Sequence, residues 1–251
     1  MSPVWETAAH WRGNDRFGAI KIIIDETRGQ LNPPQDELNK RVFEIHKAGY
    51  QVAIHALEEA TIKAACTALE YAIHSYPRPR HRHRIEHCSV CTPITTKRLA
   101  ALGTMIVTQP AFLYFNGERY LYTVPTEQLK HLYPISRLIN AGLKVAASSD
   151  CPVIPPNPLF GIHAAISRTS MKSQIISPNE RISPIEALGL YTTKAAYSCF
   201  DEDGRGSISP GKLADLVVLN KNPMEVSPEE IINLEVEMTI INGEIVWRKN
   251  L

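Results

Sequence analysis

Short β-branched or apolar runs alternate with longer amphipathic stretches through most of this sequence, and that alternation limits its folds more than any other feature. "AIKIII" (19–24) is a continuous apolar run rich in Ile, the texture of a buried strand. After the turn-like "NPP" (32–34), "QDELNKRVFEIHKAG" carries acidic residues early and Gly49 at its end, which predicts a helix. "YQVAIHA" (50–56) predicts a second strand and "ATIKAACTALEYAIHSY" (60–76) a helix, its apolar residues three and four apart. "HRIEHC" predicts a third strand, and "TPITTKRLAALG" (92–103) a helix with Thr92 as N-cap and Pro93 at its first position. "TMIVTQP" (104–110) predicts a fourth strand and "LKVAASSD" (143–150) a fifth. Between them, "AFLYFNGERYLYTVP" reads as a long loop and "TEQLKHLYPISRLINAG" as one helix.

Strands that alternate with helices predict a parallel sheet with right-handed crossovers. The spacing narrows this further. His55 and His87 are 32 residues apart and His87 and Asp150 are 63 apart, one and two units of an α/β barrel of the (β/α)8 type, which takes roughly 250 residues. Beyond Pro184 the texture changes. "SPIEALGLYTTKAAYSCF" (183–200) predicts a helix with Ser183 as N-cap, while "GSISPGKLADLVVLN" and "EVEMTIINGEIVWRKN" predict strands with a hairpin turn at Asn242-Gly243. The expectation is a barrel-type domain over 1–200 and a small β annex over 201–251.

The 251 residues suit one large domain, or a domain with such an annex. Lys and Arg (27) nearly balance Asp and Glu (26), for a net charge of +1, which argues against a nucleic-acid partner. No apolar run approaches the roughly 20 residues of a membrane span, and "MSPVWETAAHWRGNDR" lacks the apolar core of a signal peptide. Five cysteines, an odd number, predict reduced thiols and a cytoplasmic protein. Cys88 and Cys91 form a single C-x-x-C with no second pair, so a structural role is expected rather than a zinc ribbon.

In a parallel α/β barrel, chemistry sits at the C-terminal ends of the strands. His55, His87 and Asp150 fall at such ends. Two imidazoles and a carboxylate suit Zn²⁺ or a similar divalent ion with one position left for water, whose pKa would fall toward about 7. Asp150 could serve both as ligand and as the base that takes the water's proton. In "RHRHRIEHC", His81 and His83 precede Ile85 and so belong to the strand's beginning, whereas His87 is at its end. The pattern therefore favours His87 as ligand over the His-x-His pair. A lone histidine at a strand end is more often a hydrogen-bonded structural residue. It is the joint occurrence of His, His and Asp at barrel spacing that points to a metal. Lys21 sits inside an apolar strand, where a bare ammonium would be costly.

"QVAIHA", "RHRIEHC", "TQPAF", "AASSDCPV" and "GSISPGKLADLVVLNKNP" resemble, in order, consecutive blocks of the metal-dependent amidohydrolase superfamily. Within it they are most similar to amidohydrolase family 3, the YtcJ-like and N-substituted formamide deformylase-like branch. The resemblance runs from about residue 15 to the end, and "GSISPGKLADLVVL" is its most specific piece. It implies strands four to eight of a TIM barrel and part of a small β-sandwich. It also implies His55 and His87 as ligands on strands five and six, Asp150 as the strand-eight aspartate, and Lys21 as a strand-four lysine that can be carboxylated to bridge two metals. The implied cofactor is a divalent metal, zinc by type, as one or two ions. The implied activity is hydrolysis of a carbon–nitrogen bond other than a peptide bond in a small-molecule amide, formamide or cyclic amide.

Three departures qualify this. The family's strand-one His-x-His pair has no counterpart, since His10 stands alone in "AAHWRG". The Gly-Asp expected after the strand-five histidine is Glu58-Glu59, and the Asp-Gly after strand four is Asp25-Glu26. The first departure predicts that this chain is the C-terminal half of a longer protein, which should form a homo-oligomer or pair with the missing N-terminal half. Gln109, Tyr114 and Arg119 are candidate substrate contacts, the last two in the expected loop, with packing over the barrel mouth as the equal alternative. Two rival functions stand beside the hydrolase. One is a catalytically silent fragment that acts as a subunit or interaction module through open strand edges. The other is a metal-free barrel enzyme using Glu58 and Glu59, although acidic residues at a helix start usually just favour its dipole.

Overall fold

A computed structural model describes residues 10–12, 15–27 and 29–249. The signal-peptide reading falls mainly on residues 1–9, outside the described residues. A short hairpin, β1 (His10–Arg12) and β2 (Asp15–Phe17), precedes β3 (Ile20–Ile23), and a second hairpin follows it, β4 (Asp25–Thr27) and β5 (Gln30–Asn32). Then come α1 (Gln35–Lys47), β6 (Val52–Ala56), α2 (Glu59–Ser75), β7 (Arg84–His87), α3 (Pro93–Ala101) and β8 (Met105–Thr108). The middle of the chain is helical: α4 (Ala111–Thr123), α5 (Thr126–Leu129) and α6 (Ile135–Asn140). After β9 (Lys144–Ala147) follow α7 (Pro158–Ser167), α8 (Pro184–Tyr191) and α9 (Thr193–Ser198). The chain ends in β10 (Leu216–Leu219), β11 (Val236–Ile241) and β12 (Glu244–Arg248).

The expected sheet is present. β3, β6, β7, β8 and β9 form one five-stranded sheet in that order, with β3–β6, β6–β7 and β7–β8 paired parallel. Ile22, Ile54, Ile85 and Ile106 lie in one register row across four strands, and all four are buried. Strand side chains alternate between faces. This row therefore turns one way, beneath apolar residues such as Leu38, Val42, Ile62 and Leu69 of α1 and α2. Each such isoleucine contributes about 1.5–3 kcal/mol by leaving water. The next row, Ile23, His55, Glu86 and Val107, turns the other way.

Several elements differ from the expectation. The "loop" after Pro110 is the helix α4, whose Gly117 lets the backbone approach a neighbouring turn: a Cβ there would stand 2.5 Å from the Cβ of Ser170. The single helix expected after it is two, α5 and α6, because Pro134 donates no backbone hydrogen bond and Tyr133 takes φ +44°. The helix expected over 183–200 breaks at Thr192 into α8 and α9, with Ser183 capping the first as anticipated. Only Leu216–Leu219 of "GSISPGKLADLVVLN" is strand. β11 and β12 pair antiparallel around Asn242 and Gly243, both at positive φ, which a type I′ turn requires.

The chain divides into two compact units, Met1–Thr108 with His131–Val145, and Gln109–Lys130 with Ala146–Leu251. The first holds the sheet from β3 to β8 with α1–α3 and α6. The second holds α4, α7–α9 and the β10–β11–β12 sheet, and β9 carries the chain from one to the other. Among the described residues no helix is long and apolar enough to cross a membrane.

Candidate metal centre

In the first unit, β6 and β7 deliver His55 and His87 to neighbouring strand ends. His55 Nδ1 and His87 Nε2 stand 2.9 Å apart, with ring centroids at 4.3 Å and planes at 72°. Strict alternation would place the two on opposite faces, since Ala56, not His55, is paired with His87. The alternation fails because His87 has φ +75° and Cys88 has φ +52°. A left-handed backbone costs an ordinary residue about 1–2 kcal/mol, and two in succession are held by bonds from Cys88 N–H to the carbonyl of Ala56 (3.0 Å) and Val90 N–H to that of Leu57 (2.9 Å). Strain of this kind gathers at functional sites.

Two ring nitrogens on one tetrahedral zinc at ordinary bond lengths would lie roughly 3.3 Å apart. The pair is already close to that separation, and both donors are of the type zinc prefers, so these two residues fit a divalent ion. Among the described residues no group of three or more His, Cys, Asp and Glu is gathered to hold a metal. Asp150 belongs to the second unit, where it is exposed at φ +55°, with its carbonyl accepting from Val153 N–H at 2.9 Å.

Lys21 is exposed, not buried. Among the described residues its strand β3 pairs with β6 alone in the five-stranded sheet, and Ile23, on the face that Lys21 shares, is 62% exposed. Gln109, in the second unit, is buried and donates from Nε2 to Ser148 Oγ at 2.9 Å. Tyr114 stacks on Phe160 (5.4 Å) and meets His163 edge-on (5.5 Å), while Arg119 is exposed on α4. Tyr114 thus belongs to an aromatic cluster rather than a lid loop.

His81 and His83 lie at the start of β7 and are buried. His83 Nδ1 accepts from Val52 N–H (3.0 Å), so its proton is on Nε2 and donates to His46 Nδ1 (2.7 Å); His46 Nε2–H then donates to the carbonyl of Tyr76 (2.7 Å). His81 Nδ1 accepts from His83 N–H (3.0 Å) and its Nε2–H donates to the carbonyl of Leu102 (3.0 Å). All three rings are neutral in one tautomer, and burial pushes each imidazole below its ordinary range, His81 to about 4. Sequence reasoning set the pair aside but missed this network, because His46 joins it from α1.

Glu59 is likewise occupied. It accepts from Thr92 N–H (2.9 Å), Thr92 Oγ1 (2.8 Å) and Thr95 Oγ1 (2.5 Å). Burial pushes its carboxyl up, but those bonds outweigh it and hold the group below the usual carboxylate range. It braces the N-terminus of α3, which removes the ground for a metal-free Glu58–Glu59 site.

A family model described as "Amidohydrolase family" matches residues 4–247. YtcJ of Bacillus subtilis (strain 168) is 28% identical over 256 residues, covering 93% of this chain and 48% of that protein. The N-substituted formamide deformylase of Arthrobacter pascens is 26% identical over 253 residues, covering 93% and 46%. Among solved structures, an uncharacterised metal-dependent hydrolase from Pyrococcus furiosus superposes with a TM-score of 0.72 at 26% identity, over 86% of this chain and 47% of that one. The chain thus spans about half the length of the relatives it matches.

Proposed function

The chain belongs to the amidohydrolase family, and from that premise we propose that it supplies part of the metal centre of a hydrolase acting on a non-peptide carbon–nitrogen bond. An amide, formamide or cyclic amide is the substrate class we favour; the deformylase relative acts, by its name, on N-substituted formamides. The observation that carries the reading is the His55–His87 pair, two imidazole nitrogens 2.9 Å apart at adjacent strand ends on a strained backbone. These two residues would hold the ion, with Asp150 and, if carboxylated, Lys21 as further ligands. A bound divalent ion, zinc by ligand type, would acidify water and polarise a carbonyl. Asp150 would take the attacking water's proton and pass it to the leaving nitrogen. Gln109, Tyr114 and Arg119 are the substrate contacts in this reading, and the free thiols favour the cytoplasm.

The exposed edge of β3 favours a second reading, an interaction module that pairs with another chain, either a copy of itself or a separate N-terminal half. Elemental analysis of the chain purified without a tag or chelator separates the two. Bound zinc that is lost in His55→Ala and His87→Ala but kept in His74→Ala, on an exposed helix end, supports the metal centre. A chain that takes up no divalent ion even when reconstituted leaves only the interaction reading.

A further inference from the structure

Another cluster of reactive groups lies within the second unit, on α7 and the turn that ends it, and shares no residue with the His55–His87 pair. His163 and Ser167 stand one turn apart on one face of α7, and both are buried, at 4% and 5% exposure. The carbonyl of Pro228 can only accept, so at 2.7 Å it fixes a proton on His163 Nδ1 and, in the neutral ring, leaves Nε2 as an acceptor. Two hydroxyls face that nitrogen, Ser167 Oγ at 3.2 Å and Thr169 Oγ1 at 3.1 Å. Thr169 reaches it because Arg168 takes φ +59°, which stops the helix and folds the chain back. The turn is fastened by Arg168 N–H to the carbonyl of Ala164 (3.0 Å) and by Arg181 Nε to that of Ser167 (2.9 Å). A serine inside a helix usually faces solvent or bonds back to the carbonyl four residues earlier. Ser167 turns instead to the side chain at that position. The result is a hydroxyl, an imidazole and an acceptor that orients the ring, the order that a nucleophilic serine requires.

We propose that Ser167 and His163 form a serine-nucleophile site that cleaves small acyl esters of phenols. Ser167 Oγ attacks the ester carbonyl as its proton passes to His163 Nε2. The N–H and hydroxyl of Thr169, 3.2 and 2.7 Å from Ser167 Oγ, are the donors at hand for the oxyanion. The C–O bond to the phenol then breaks, and the leaving phenolate takes the proton from His163. Water, with His163 again as base, releases the acid and restores Ser167, so one ester and one water become one acid and one phenol. Burial limits the acyl group to a short one. The half-buried rings of Tyr114 and Phe160, stacked at 5.4 Å with Tyr114 edge-on to His163 at 5.5 Å, offer an aromatic leaving group an apolar surface.

The test uses the full chain in EDTA, treated with methanesulfonyl fluoride, a small reagent whose fluoride leaves as a serine oxygen bonds its sulfur, and then digested with trypsin. The peptide Val145–Arg168 holds Ser167 and Thr169–Lys172 holds Thr169, so the two hydroxyls are told apart. The expected result is one methanesulfonyl group on the first peptide, placed at Ser167 by fragmentation, with hydrolysis of 4-nitrophenyl acetate lost in step with labelling. Ser167→Ala should abolish both. His163→Gln should slow labelling roughly 100-fold or more, and its melting curve shows whether it folds. The mapping on the unsubstituted chain decides the site even if a variant does not fold. No label on that chain, a label on Ser148, Ser149 or Thr169 in place of Ser167, or a folded His163→Gln that labels as fast as the unsubstituted chain would each overturn the assignment.

Discussion

His83 accepts one hydrogen bond from a backbone amide and donates another to a second histidine, so it has no nitrogen to spare for an additional proton. Truncating it in His83→Ala strands Val52 N–H and His46 Nδ1 in the core and leaves a ring-sized void. We expect a loss of about 2–4 kcal/mol, measured by urea unfolding. The same network sets a pH dependence. His46, His81 and His83 all have folded pKa values below their unfolded 6.5. The unfolded chain therefore binds the extra protons first as pH falls. Stability is intact above about pH 6.5 and drains away toward about pH 4, where His81 alone should have cost about 3 kcal/mol. Melting curves taken between pH 7.5 and 4.5 check the sign, and His81→Gln should flatten the decline over that window.

At the level of elements, α7 and α8 meet at Gly161, where an added Cβ would stand 1.7 Å from the phenol oxygen of Tyr191. Burial pushes that phenol's pKa up. Gly161→Ala should cost about 1–3 kcal/mol, read as a lower melting temperature, and pairing it with Tyr191→Leu should recover part of the loss. The N-terminus of α3 offers a second case. Glu59→Ala removes three hydrogen bonds that reach across from α2 to Thr92 and Thr95, and should cost about 1–2 kcal/mol in urea unfolding. Glu59→Gln, which keeps an acceptor, should cost less. Thr92 and Pro93 were legible as a cap from local chemistry, whereas the cross-brace was not, because its carboxylate is 33 residues away.

At the scale of the molecule, β3 is the end strand of the parallel sheet among the described residues, and Ile20, Lys21 and Ile23 are exposed on it. An uncovered edge invites pairing with another chain. The chain should associate as its concentration rises, and Ile23→Lys should weaken that association without unfolding the protein, as light scattering after size-exclusion chromatography would show. A chain that stays monomeric at high concentration would count against the interaction reading.

What the sequence determined by itself is what short-range periodicity can encode: the strand–helix alternation, the order of the parallel strands, the Thr92 and Ser183 caps, the Asn242-Gly243 turn, and the position of His55 and His87 at strand ends. Each depends on residues within a few positions of one another. The tertiary structure alone decided that His87 turns against its strand to face His55, that His46 completes a buried network with His81 and His83, that the aromatic stretch after Pro110 is helix, and that Lys21 is exposed. Those outcomes depend on which distant side chains come into contact and which edges go uncovered, and local pattern carries no record of either.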